Sequence, residues 1–233
     1  MIGITVVWFV HQKVNPGHWP WEKTTGKSSS IVDSSPEIIP EYNGNNVIEL
    51  SRGKPCFLDE DFTISGEYYS DLDNLGRCGT AVAMLDRTMM PTEQRGAIGS
   101  IKPTGWVQEK YPGIVDSEPP YLYNRSHLIA YSMTGQNDNE LNLITGTRYM
   151  NATTMLSYEE QILQYLDNSD NHVLYRVSPY FKGSELLARG VELEAYSVED
   201  NGKGICFHVF LYNVQPGIEI DYSTGKSSLM TNP

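Results

Sequence analysis

The residues best equipped for chemistry in this 233-residue chain are Asn124-Arg125-Ser126-His127, then Asn151 24 positions after the histidine, then Glu159 eight further on. In that order they supply a general base beside a phosphate-pairing cation, a neutral oxygen ligand for a hard metal ion, and a carboxylate to hold the ion's waters. Those are the parts needed to cut a phosphodiester.

His127 carries most of this reading, because an imidazole titrates near neutral pH and its neutral form can take a proton from an attacking water. Arg125, two residues earlier, shares a face with His127 on an extended segment, and its planar fork suits a pair of phosphate oxygens. An amide oxygen such as that of Asn151 leaves Mg²⁺ most of its waters and its Lewis acidity, and Mn²⁺ is the natural substitute. On a helix the eight-residue step from Asn151 to Glu159 turns about 800°, an offset of about 80°, so both can face one cleft. Glu160 is the rival to Glu159. Arg148 and Arg176 are candidates for extra positive charge around the scissile phosphate. Arg77, Arg87, Arg95 and Arg189 read as surface residues, and Lys182 as a candidate backbone contact. Asn124-Arg-Ser126 and Asn151-Ala-Thr153 also match the glycosylation pattern, which is treated as accidental because both coincide with the site.

These residues need elements to hold them. Phe62 to Tyr69 and Thr80 to Leu85 read as strands, and Pro91-Thr-Glu-Gln-Arg95 opens like a helical turn. Tyr121 to Tyr131 reads as a strand turning into a loop or short helix. Asn151 to Leu166 has its apolar residues, Met155, Leu156, Ile162, Leu163 and Leu166, nearest to a 3.6 period and reads as a helix. Val173 to Val177, Gly190 to Ser197 and Ile205 to Asn213 read as three consecutive antiparallel strands, with Asn201-Gly202 a strong turn signal between the last two. The fold class is α+β, and the globular domain is expected over 47–233. Residues 1–46 read as an apolar run, Ile2 to Val10, followed by a Pro-containing linker. That run is too short to span a membrane, and is read as the end of a signal sequence or anchor whose earlier part is missing. Membrane association would come only through that anchor.

The bulk properties narrow the function. With 39% hydrophobic and 20% charged residues the composition is that of a globular protein. A formal net charge of −12 argues against a stoichiometric nucleic-acid binder, whose affinity rests on Lys and Arg. A catalyst needs only a locally positive cleft and a metal ion. Cys56, Cys78 and Cys206 lack metal-site spacing, which argues against zinc. They leave room for one disulfide, and the simpler expectation is three buried or half-buried thiols.

Taken together the motifs resemble the DNA/RNA non-specific endonucleases of the ββα-metal class, with Asn124-Arg-Ser-His127 in the place of Asp-Arg-Gly-His. More narrowly, Tyr69-Ser-Asp-Leu-Asp-Asn-Leu-Gly-Arg-Cys-Gly79, Met90-Pro-Thr-Glu-Gln-Arg-Gly96, Lys102-Pro-Thr-Gly-Trp106, Tyr175-Arg-Val-Ser-Pro179 and Val198-Glu-Asp-Asn-Gly-Lys-Gly204 are similar to the secreted streptococcal DNases of the streptodornase type and the DNA-entry nucleases. The likeness covers roughly residues 47 to 225. It implies a central antiparallel sheet with a ββα-metal finger over Tyr121 to Leu166, His127 as base, Asn151 as Mg²⁺ ligand, Glu159 orienting the ion's water, and DNA, with RNA left open, cut to 5′-phosphate products. It also implies a secreted or surface-anchored protein of a Gram-positive bacterium. Two departures matter: Asn124 for Asp removes a negative charge beside the metal, and Ser126 for Gly adds a side chain at what is expected to be a tight bend. The rivals are an inactive nucleic-acid-binding relative used in DNA uptake or adhesion, and a metal phosphodiesterase acting on another diester. The oligomeric state is open.

Overall fold

The computed structural model describes residues 39–231; the apolar run of residues 2–10 and its reading as a signal or anchor lie outside them. The fold is α+β. Its centre is a six-stranded antiparallel sheet in the order β1 (Val47–Glu49), β8 (Cys206–Tyr212), β7 (Gly190–Ser197), β6 (Val173–Tyr180), β3 (Ala81–Leu85) and β2 (Gly66–Tyr69). A separate ribbon pairs β4 (Tyr123–His127) antiparallel with β5 (Leu143–Thr147), and α1 (Tyr131–Thr134) lies in the connection between them. A π-helical turn, Met150–Met155, then leads into α2 (Leu156–Asp167). β9 (Ile218–Ile220) and β10 (Ser227–Leu229) close the chain as a second ribbon.

The sheet has two faces because side chains alternate along a strand. Val173, Tyr175 and Val177 on β6 share one buried cluster with Ala81, Ala83 and Leu85 on β3, with Val191, Leu193 and Ala195 on β7, and with Ile162 and Leu166 of α2. Met150, Met155, Leu128, Ile129 and Ile144 join that cluster, so the β4–β5–α2 unit lies on this face. The register puts Arg176 opposite Glu194 and Glu194 opposite His208, on the alternate positions that face the other way.

Three local expectations need correcting. The strand read over Phe62 to Tyr69 begins only at Gly66; Asp59–Thr63 is a 3₁₀ turn. There the Asp61 carboxylate accepts the Leu58 N–H at 2.9 Å and the Thr63 hydroxyl donates to the Glu60 carbonyl at 2.7 Å. Such local bonds give the backbone an alternative to a ladder. Pro91 to Arg95 forms no helix; the short turn lies earlier, at Arg87–Met89, where the Asp86 side chain accepts the Thr88 N–H at 2.6 Å. Ser126 occupies a regular strand position opposite Ile144 rather than a tight bend, its side chain buried beside the Met155 sulfur. The long strands of the last third stand where the pattern put them, and Asn201 and Gly202 turn with φ of 57° and 74°. Residues 39–46, read with the linker, pack against the sheet's outer side: the Tyr212 hydroxyl donates to the Pro40 carbonyl at 2.7 Å and the Tyr42 ring sits 5.3 Å from that of Tyr212.

Candidate active site

His127 ends β4, and two interactions hold that strand end in place. The Asn142 side chain accepts the Ile129 N–H and donates to the Ile129 carbonyl, both at 2.9 Å. The Cys78 thiol donates to the Leu143 carbonyl at 3.1 Å. Closer to the middle of the ribbon, a Cβ on Gly146 would lie 2.7 Å from that of Ser126 and 3.0 Å from Met150 Cε. Only glycine lets β4, β5 and the π turn come this close.

His127 is 6% exposed. Its Nδ1 lies 3.2 Å from Arg95 Nη2, and its Nε2 lies 2.9 Å from the Asn137 carbonyl. A guanidinium only donates and a carbonyl only accepts, so Nδ1 holds the lone pair and Nε2 the hydrogen. Burial lowers the imidazole pKa, and the Arg95 charge lowers it further against the opposing Asn137 hydrogen bond. The ring is therefore neutral at physiological pH, with its basic nitrogen facing the cleft beside Arg95.

Two adjoining cavities meet there. The smaller, about 280 Å³, is lined by His127, Arg95, Arg125, Asn151, Leu156 and Glu159 among others. The larger, about 710 Å³, brings Arg95, Arg125 and Arg148 together with Asn124, Asn151, Trp106, Gln108 and Tyr121, and among the described residues no carboxylate lines it. In a chain of formal charge −12 this is a local concentration of positive charge, which suits a polyanion.

Asn151 and Glu159 reach one cavity, though not along a regular helix. The π turn over Met150–Met155 widens the first turn, and the α-helix begins only at Leu156. π-bulges of this kind re-aim side chains and recur at functional sites. Glu159 is 8% exposed whereas Glu160 is exposed, which separates the two neighbours. Burial pushes the Glu159 carboxyl up to about 8, with Glu160 adding to it. The Tyr175 hydroxyl, close enough to Glu159 to feel its charge, is fully buried and has no hydrogen-bond partner among the described residues. Among the described residues, neither the Asn151 amide nor the Glu159 carboxylate is taken up by a protein hydrogen bond or ion pair. A hard divalent cation fits this donor set: an unspent neutral oxygen, and a carboxylate whose charge burial now disfavours.

The other residues singled out from sequence divide. Arg125 shares the cleft with His127, but its Nη2 donates to the Gly99 carbonyl at 2.8 Å, its Nε donates to the Ile101 carbonyl, and its guanidinium stacks 4.3 Å from the Trp106 ring centre. It presents charge from a fixed wall. Arg148 lines the larger cavity and donates to the Asp116 carbonyl at 3.3 Å. Arg176 is not brought to the cleft. It lies between Tyr175 and Val177, which face α2, so it points to the opposite sheet face and pairs there with Glu194 at 2.7 Å and Asp61 at 3.2 Å. Lys182 pairs with Glu41 at 2.5 Å and lines neither cavity. Arg95, read as a surface residue, is indeed exposed, yet its guanidinium is the His127 partner. Sequence reasoning missed both Arg95 and the Asn137 carbonyl because no short spacing ties them to the histidine. The one available signal was that Arg95 stands inside the Met90 to Gly96 motif.

Residues 59–199 match the family described as DNA/RNA non-specific endonuclease. The chain belongs to that family. Among curated proteins, this family member is 34% identical over 111 residues to a Deoxyribonuclease of Streptococcus dysgalactiae subsp. equisimilis, a match over 45% of this chain and 32% of the relative. It thus spans about a third of that relative's length. Among solved structures, this endonuclease-family chain is similar to NucA from Streptococcus agalactiae with a magnesium ion bound, at TM-score 0.69 and 25% identity over 79% of this chain and 89% of the other. It is also similar to the Sda1 nuclease with a bound zinc ion, at TM-score 0.59 and 28% identity over 72% of this chain and 82% of the other. The expected class, a central antiparallel sheet carrying a ββα finger, is the fold observed.

Proposed function

We propose that this chain is a divalent-metal-dependent, sequence-tolerant endonuclease that hydrolyses DNA, with RNA a second substrate to be tested. The observation that carries this reading is the orientation of neutral His127, with Nδ1 facing a cleft walled by three arginines and by the unspent oxygens of Asn151 and Glu159. The names of the streptococcal relatives support it.

In the resting protein the Nδ1 lone pair accepts from Arg95. When a phosphodiester enters, the Arg95 guanidinium moves its donor to a phosphate oxygen, where a planar fork binds in bidentate fashion. Nδ1 is then free to take the proton from the attacking water, while the Asn137 carbonyl holds the ring by Nε2–H. The water's oxygen bonds to phosphorus as the bond to the 3′-oxygen breaks, leaving a 5′-phosphate and a 3′-oxygen that takes a proton from solvent. Arg125 and Arg148 bias the cleft toward the strand's phosphates and read no base, so cleavage is sequence-tolerant. Asn151 would hold Mg²⁺, or Mn²⁺ in its place, with Glu159 orienting the ion's water, and the ion would supply Lewis-acid stabilisation of the charge that develops on the phosphate. Action outside the cell belongs to the same proposal; it rests on the family resemblance.

The test is incubation of supercoiled plasmid with and without Mg²⁺, with total RNA in parallel. His127→Ala is expected to lower the rate by about 10²- to 10⁴-fold, the usual contribution of a positioned base, with a single cooperative unfolding transition retained. Cleavage that persists in the variant sinks the role of the base. Plasmid retained intact but bound, in Mg²⁺ and EDTA alike, would favour an inactive binder.

A further inference from the structure

On the sheet face opposite the cleft, the register lines up Arg176, Glu194 and His208 across β6, β7 and β8, and the segment before β2 covers them. His208 and Glu194 are each only 3% exposed, while Cys56 in the covering segment is exposed. A ligand atom from each of Cys56, Glu194 and His208 lies within 4.8 Å of the other two, in the one group of metal-ligating side chains of this kind among the described residues. From this geometry we propose that Cys56, His208 and Glu194 form a zinc site distinct from the nuclease cleft.

The Cys56–His208 separation is close to the one a tetrahedral ion needs, and Glu194 Oε1 lies 3.9 Å from the His208 ring at Nε2. Cys56 Sγ and His208 Nδ1 are 3.8 Å apart, and zinc bonds of ordinary length place sulfur and nitrogen about 3.5 Å apart. Small motion of the exposed Cys56 side chain closes the remainder. The Lys54 carbonyl, 3.2 Å from the same Nδ1, offers a further oxygen. The site is assembled without the ion, because the Cys56 N–H donates to Glu194 Oε1 at 2.7 Å and Arg176 grips the other carboxylate oxygen at 2.7 Å. Glu192 accepts from His208 Nε2 at 2.5 Å. A carboxylate behind the histidine in this way leaves Nδ1 as the ligating nitrogen and orients the ring.

Charge points the same way. Asp61, Glu192 and Glu194 gather around one guanidinium and one imidazole, so the cluster carries excess negative charge that a divalent ion offsets. On binding, the Cys56 thiol and His208 Nδ1 release their protons to solvent, and the thiolate selects a soft or borderline ion over Mg²⁺. The ion would pin the segment around Cys56 to β7 and β8, a cross-link between positions 138 and 152 residues apart in sequence.

The experiment uses Co²⁺ as a spectroscopic stand-in added to the full chain, with Zn²⁺ as competitor. Expected is an intense near-ultraviolet thiolate-to-cobalt band, displaced by Zn²⁺. It should persist in Asn151→Ala and Cys206→Ser and vanish in Cys56→Ser, with apparent Zn²⁺ affinity falling at least tenfold. Zn²⁺ should raise the unfolding temperature of the unmodified chain and of Asn151→Ala, and not that of Cys56→Ser. No band at all, a band that survives Cys56→Ser, or one that also needs Cys206 overturns the proposal. Because Cys56 is exposed and away from the cleft, Cys56→Ser should cut plasmid in Mg²⁺ as the unmodified chain does, so the two sites are read separately.

Discussion

Arg95 Nη2 and His127 Nδ1 lie 3.2 Å apart. A permanent cation thus sits on the lone pair of the proposed base, and burial and that charge both lower the imidazole pKa from 6.5. The acid limb of kcat/KM is therefore expected to have its midpoint below pH 6.5. Arg95→Gln should move the midpoint upward and cost about 10²-fold or more in rate, the scale for losing a charge-stabilising donor. A midpoint that stays put in the variant removes Arg95 from the tuning of His127. The sign for stability is the same: the unfolded chain binds the proton more readily, so His127's contribution is present above pH 6.5 and declines as pH falls toward the folded value.

Asn151 and Glu159 can be told apart by metal dependence. Asn151→Ala should raise the Mg²⁺ concentration for half-maximal cleavage by at least about tenfold and leave unfolding in EDTA unchanged. Glu159→Gln should also lose activity, with an added signature in EDTA. The folded carboxyl, at about 8, holds a proton that the unfolded one, near 4.5, gives up. Stability in EDTA should therefore rise as pH is lowered from 7 to 5, and part of that rise should disappear in Glu159→Gln. Equal slopes in both proteins would remove burial as the cause.

Arg176→Gln should spare catalysis and damage the fold. It strips the partner from Glu194, whose side chain is 4% exposed, and from Asp61, at 10%. Breaking a buried pair by removing one partner costs about 3 kcal/mol or more, several degrees in unfolding temperature for a domain of this size. Unchanged stability together with lost cleavage would return Arg176 to the cleft.

Gly146→Ala should lower both stability and activity. The added methyl meets the Ser126 Cβ at 2.7 Å, so β4 must move away from β5. Overpacking of this sort costs about 1–3 kcal/mol. Because His127 ends β4 and Asn151 follows β5, the rate should fall more than the folded fraction does. Activity that tracks the folded fraction alone would show that the spacing of the ribbon does not govern the site.

Much of this protein was legible from local pattern. The alternation over Val173 to Val177 and Gly190 to Ser197, the turn at Asn201-Gly202 and the helical period ahead of Leu166 each depend on neighbours a few residues away, where sequence and geometry are tightly coupled. His127 and Arg125 share a strand face for the same reason, whereas Asn151 sits in a π turn ahead of the helix that carries Glu159, a widening that the helical period did not show. Strand alternation also held the answer for Arg176: flanked by Tyr175 and Val177 on the α2 side, it had to face the other way.

What only the tertiary structure decided lies between segments far apart in the chain. Arg95 meets His127 across 32 residues, and Cys56 meets His208 across 152. No period or spacing encodes such contacts; they follow from which faces bury their apolar stripes against which. The sequence by itself determined β3, β4, β6, β7 and β8, the helix and the chemical types in the cleft, but not β5, the partner of β4. Packing decided which nitrogen of His127 is basic, which arginine stands beside it, and that three residues without metal-site spacing converge on the far side of the sheet.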